Sequence, residues 1–214
     1  MGVGLKFGGF ERGDGRGEIA MKALLWAGVA APIIYFATQI AAIALNPSFN
    51  FAEQQPSELG IATMHLPIVA NAGFIASGIA FVLGGLGLSA GLRGVGGNLI
   101  LAALAGFTLA VLGFAIAMSG FFPLPNPLHY AFGLYPVGIL PPLLVALGYK
   151  NGGAARWIAL AGFLLCVAIF AAASFGGMAT EDNVGLFTRA ISIVLFATIA
   201  YLCWSLARRL KTAG

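Results

Sequence analysis

The chain has 214 residues, of which 60% are hydrophobic and 8% charged, with a net charge of +4 and a mean hydropathy of +0.96. A soluble domain carries about 25% charged residues, so this composition excludes a water-facing globule, and at this length it describes one domain. The positive excess is scattered over short segments without interleaved aromatics, which excludes a nucleic-acid-binding stripe.

Residues 1–22 are rich in glycine and charge and predict a disordered cytoplasmic tail, because they bury too little apolar surface to order themselves. Six apolar stretches follow, near 23–45, 67–90, 99–120, 129–148, 157–178 and 187–207. A membrane-spanning helix needs about 20 mostly apolar residues. Residues 23–209 therefore read as an all-α, integral membrane bundle of six transmembrane helices. The first stretch follows a basic start and contains Ala42-Ile43-Ala44, a cleavage-like pattern. Its apolar run is too long for a signal core, and it reads as a retained helix. Pro32 predicts a kink in it, and Gln39 places an amide at membrane depth.

Asn46 to Leu66 form the longest polar connection, where Ser57-Glu58-Leu59-Gly60 reads as a serine-capped short helix. Helix two carries Gly73, Ser77, Gly78, Gly84, Gly85 and Gly87. Helix three, Asn98 to Gly120, repeats Gly106, Gly113 and Gly120 on one face. Small-residue faces allow close helix contact in membranes. Pro123, Pro125 and Pro127 stiffen the next turn. A fourth helix starting near His129 is expected to bend or break around Pro136, Pro141 and Pro142. If the chain is two halves of three helices, Pro32 and Pro136 break the first helix of each, as in transporters with inverted halves. Cys166 and Cys203 both lie inside apolar stretches, so no disulfide framework is expected.

Threading the stretches alternately gathers every lysine and arginine except Arg189 at one side, which predicts both termini in the cytoplasm and residence in the cytoplasmic (inner) membrane. Glu53, Glu58, Glu181, Asp182, both histidines and Arg189 then share the outer end. Ionisable groups in or near a bilayer are costly and often mark function. The candidate polar site is Ser57, Glu58, His65, Asn71, His129 and Arg189. Glu58, His65 and His129 are residue types that hold zinc, and histidine suits acid–base work. No His-x-x-x-His or Cys-x-x-Cys spacing supports a centre, so no metal or other cofactor is assigned. The plainer reading has Arg189 paired with Glu181, Asp182 or Glu58, and Asn71 and Gln39 in interhelical hydrogen bonds.

Four short motifs occur in order: Ser57-Glu58-Leu59-Gly60; Asn71-Ala72-Gly73-Phe74 with Gly78; Gly120-Phe121-Phe122-Pro123 followed by His129; and Gly185-Leu186-Phe187-Thr188-Arg189. Together they resemble the bacterial and archaeal six-helix membrane family known as domain of unknown function 998, over residues 23–209. Family members often carry an acid or cysteine after the Phe-Pro turn, where this chain has Leu124-Pro125-Asn126-Pro127; no carboxylate or thiol role transfers there. The resemblance implies fold and topology, and no reaction.

Three functions are compatible with these residues. The leading one is a non-enzymatic component that binds membrane lipids, or a membrane-protein partner or second copy through the glycine-rich faces. The others are a membrane-embedded, metal-dependent hydrolase acting on lipid-like substrate, and a small transporter with a site near Pro136 and Gln39. No nucleic-acid partner is expected.

Overall fold

The computed structural model describes residues 15–210; Lys6, Arg12, Lys211 and the expected tail up to residue 14 lie outside the described residues. The helices are α1 (Gly15–Leu45), α2 (Pro67–Gly94), α3 (Leu99–Phe121), α4 (Leu140–Gly148), α5 (Ala154–Ser174) and α6 (Val184–Arg209). Six segments are long and apolar enough to cross a membrane, and no strand occurs among the described residues. The fold is the expected all-α, multi-pass bundle. α1 begins earlier than its apolar run. Glu18 and Lys22, one turn apart and 2.8 Å from each other, supply an i,i+4 pair that supports the added turns.

The first three helices are closed on each other through backbone contacts. A Cβ added at Gly78 would stand 2.5 Å from the Gly113 carbonyl oxygen, and one at Gly113 would stand 2.5 Å from that of Gly78. Gly85 and Gly106 reciprocate at 2.5 Å, and a Cβ at Gly84 would lie 2.6 Å from the Gly28 Cα. Ser77 Oγ adds a hydrogen bond to the Ala31 carbonyl across α1 and α2, at 2.9 Å. These glycines are the faces expected to reach a partner or second copy. They lie between helices of the same chain, where small residues permit the tightest packing.

Pro32 does not interrupt α1, so the matched break expected in the two halves is present in the fourth span alone. That span departs further from expectation than a bend. Pro127–Gly133 and Tyr135–Ile139 are 3-10 turns, and only Leu140–Gly148 is α-helical. Nine helical residues rise about 14 Å, roughly half a bilayer core. Pro127 and Pro136 bring no N–H to an i→i−4 ladder, and Ala131 and Gly133 take left-handed φ values of 46° and 75°. His129 therefore sits in a tight turn instead of opening a helix.

α6 packs on α1, α2, α4 and α5, whereas α5 leans on α6 and α4 and meets the turn Tyr135–Ile139 only lightly. An aromatic cluster fills the middle, with Phe196 4.8 Å from Phe81 and 5.0 Å from Tyr35 between ring centroids. At the end that holds the termini, Arg209 donates to the Tyr149 hydroxyl at 2.6 Å and to the Gly152 carbonyl at 2.9 Å. Arg156 and Arg208 lie over Trp157 and Trp204, at 5.2 and 4.9 Å. Cations beside interfacial aromatics are a headgroup-level arrangement.

Candidate functional site: a chamber at the end opposite the termini

Where the fourth span gives up its helix, the bundle leaves a cavity of about 540 Å³, within the usual range for ligand pockets. Tyr35 of α1, Phe74 of α2, Leu112 of α3, and Leu195 and Phe196 of α6 form its apolar floor. Ser119, His129, Tyr135, Thr188 and Ser192 stand in its wall, and Gln55, Pro56 and Ser57 form its roof. Tyr130 and Phe170 belong both to the lining and to the outer surface, with 60% and 47% of their area exposed. The mouth therefore lies between α5 and the turn Pro127–Gly133, the flank where α5 is least held.

The polar wall is satisfied by its own backbone. Ser119 Oγ donates to Ile116 at 2.7 Å, Thr188 Oγ1 to Val184 at 2.9 Å, and Ser192 Oγ to Thr188 at 2.9 Å. The Tyr135 hydroxyl donates to Ala115 at 3.0 Å. A hydroxyl that has placed its proton in this way keeps lone pairs for a ligand but no free donor. His129 is 3% exposed. Its Nδ1 lies 3.0 Å from the Phe122 carbonyl; a carbonyl only accepts, so Nδ1 carries the proton.

The roof is part of a strap between α1 and α2. Its residues Phe51 to Gln54 dock on the start of α6. Leu186 N donates to the Ala52 carbonyl at 3.1 Å. Arg189 Nη1 donates to the Phe51 and Gln54 carbonyls, both at 2.8 Å, and to Gly185 at 3.1 Å. The guanidinium also lies 4.0 Å over the Phe51 ring. A Cβ on Gly185 would collide with the carbonyl oxygens of Gln54, Ala52 and Phe51, so only glycine lets the strap come this close. Farther along, the Asn46 side chain receives the His65 N–H at 2.7 Å and donates to the His65 carbonyl at 3.1 Å.

The six candidate residues divide by role. Ser57 and His129 line the chamber. Glu58 closes the turn Pro56–Gly60 by accepting from Gln55 N at 2.7 Å and from Gln54 Nε2 at 3.2 Å. It thus supplies the capping contact expected of Ser57. Asn71 Nδ2 donates to the Gly60 carbonyl at 3.0 Å, binding strap to helix rather than helix to helix. Arg189 pairs with carbonyls, correcting the expected partnership with Glu58, Glu181 or Asp182: the close strap puts backbone oxygens, not acids, within its reach. The His65 side chain is exposed and outside the chamber lining. Glu58, His65 and His129 do not assemble, and no three His, Cys, Asp or Glu side chains among the described residues form a metal-binding group. Gln39 is buried but not part of the lining.

Tyr35, Ser119, Thr188 and Ser192 were not among the candidates. The available signal was a run of hydroxyl residues on α6, Thr188 and Ser192 one turn apart, which share a face.

No curated protein and no solved structure matches the chain. A family match covers residues 29–205, reaching from the first span into the last. The chain belongs to the family described as Protein of unknown function (DUF998).

Proposed function

We propose that this protein is a lipid-binding component of the cytoplasmic membrane, holding one alkyl chain of an amphiphile drawn from the outer leaflet. The observation that carries this reading is the chamber itself, with its apolar floor, polar wall and side mouth. Lipid tails are as apolar as the floor, so a chain leaving the leaflet gains from packing in a fitted cavity rather than from hydrophobicity, and the hydroxyl-bearing wall is suited to the wet end of the guest. The basic residues at the terminal end support an orientation that turns the chamber outward. The dispersal of Glu58, His65 and His129 gives a metal-dependent hydrolase no support, and the unbroken α1 gives none to inverted halves.

The test is to narrow the chamber. Ile116→Phe, at an apolar lining position of α3 that is 3% exposed, puts a ring into the cavity. Purified protein in zwitterionic nanodiscs is titrated with dodecanol by calorimetry. Binding to wild type and its loss in a variant of unchanged melting temperature are expected. Equal binding by both would refute the chamber as the site.

A further inference from the structure

Arg189 is the only cation among the described residues at the chamber end of the bundle, and it is 3% exposed. Its three hydrogen bonds all come from Nη1. Nε and Nη2 are enclosed and have no hydrogen-bond partner. No acid among the described residues is within ion-pair distance of it. Nε–H and one Nη2–H are parallel and define a single edge of the planar guanidinium. That edge is the one a carboxylate or phosphate occupies in a bidentate pair. A buried cation without a paired counter-charge is unfavourable; Glu58 acts on this one through space but forms no ion pair with it, so the Nε/Nη2 edge itself has no partner.

Arg189 is not itself a lining residue of the chamber, but several of its neighbours are. Thr188 precedes Arg189, Ser192 is one turn beyond it, and Gln55 follows the Gln54 carbonyl that Arg189 holds; all three are lining residues. Tyr35, also in the lining, and Glu58, in the turn Pro56–Gly60, are near enough to act electrostatically on the guanidinium. Phe196, in the floor, is seven residues deeper along α6, about 10 Å at the helical rise. The wall hydroxyls have already given their protons to carbonyls. Among the described residues, Arg189 is therefore the charged donor at this corner with N–H groups to spare.

We infer that the guest is an acidic amphiphile: one alkyl chain on the aromatic floor, with an oxyanion head, carboxylate or phosphate, paired to the Nε/Nη2 edge of Arg189. The edge is sealed from solvent, so the head reaches it by displacing a wall side chain such as Tyr35 or Gln55. This assignment rests on the lipid-binding reading and adds the chemistry of the head.

The full-length protein in zwitterionic nanodiscs is titrated in parallel with dodecanoate, dodecyl phosphate, dodecanol and inorganic phosphate. Both acids are expected to bind at least about tenfold more tightly than dodecanol, the scale of a charge-assisted hydrogen-bonded pair. Inorganic phosphate, lacking a tail, is expected to bind weakly. Arg189→Lys keeps the charge and loses the two-pronged edge. It is expected to erase most of the preference for the acids over dodecanol, read as the ratio of affinities within the variant. Dodecanol binding as tightly as the acids to wild type would overturn the head-group assignment and leave the chamber reading intact. Failure of all three chain compounds to bind would overturn the chamber reading itself. Inorganic phosphate binding as tightly as dodecyl phosphate would assign the edge to a free ion and refute the amphiphile. Should Arg189→Lys not fold, the wild-type comparison of acid with alcohol still decides.

Discussion

Replacing Gly78 with alanine tests whether the glycine faces hold the chain together or wait for a partner. The new Cβ would stand 2.6 Å from Ala117 N and 2.5 Å from the Gly113 oxygen, where ordinary contact begins at 3.4 Å. α2 and α3 must part by about 0.8 to 0.9 Å to admit it, and the contacts at Gly85–Gly106 and Gly120 are strained by the same displacement. Overpacking of this kind costs about 1–3 kcal/mol. Gly91→Ala is the control. Its Cβ would meet Leu25 at 3.4 Å and Leu206 at 3.6 Å, so the gain in helix propensity, up to about 1 kcal/mol, is all that remains. The assay is denaturant unfolding in detergent micelles, followed by far-UV circular dichroism, with oligomeric state measured beside it. Gly78→Ala should lower monomer stability while Gly91→Ala leaves it equal or higher. Equal stabilities for Gly78→Ala and wild type, with a change in self-association instead, would refute internal packing as the role of this face.

The two histidines should separate in the same assay. His65→Ala changes only an exposed side chain and should stay within about 0.5 kcal/mol of wild type, whereas His129→Ala removes a buried side chain and orphans the part-buried Phe122 carbonyl, and should cost about 1–3 kcal/mol; equal losses would contradict their placement. Gly185→Ala should lift the strap from α6, and faster amide exchange at Ala52 to Glu58 than in wild type, measured by mass spectrometry, is the expected sign. Unchanged exchange there would mean that the carbonyls of Phe51, Ala52 and Gln54 do not press on Gly185. Asn46→Ala leaves the His65 N–H without its acceptor and should destabilise by about 1–3 kcal/mol, read as a lower denaturation midpoint; an unchanged midpoint would deny the clamp.

Span number and fold class were legible because each crossing needs an unbroken apolar length, and length is a property of one segment. The glycine seam was half legible. Gly106, Gly113 and Gly120 recur on one face of α3, but a small-residue face reads the same whether its neighbour is in the same chain or another. The candidate site was grouped by which end of the bundle its residues share, and that is too coarse. Asn46 clamps the backbone on either side of His65, while the turn at Pro127 buries His129, so two residues at one end have opposite surroundings. The chamber was the least legible part. Pro127, Pro136, Pro141 and Pro142 foretold a defect in the fourth span, yet whether a defect collapses or leaves room depends on α5, which rests on α4 and touches the turn Tyr135–Ile139 only lightly. Tyr35 and Phe196, seen singly, are ordinary membrane aromatics.

The bundle is stiff on one side and yielding on the other. Backbones that touch at Gly78, Gly85, Gly106 and Gly113 cannot be pressed closer, while α5 borders open volume and has few contacts on that flank. Lateral pressure from the bilayer would therefore be taken up almost wholly by the chamber, and lipid composition becomes a means of setting its size. Guest affinity should then differ between nanodiscs of short- and long-chain phosphatidylcholine; identical affinities in both would show that α5 is braced after all.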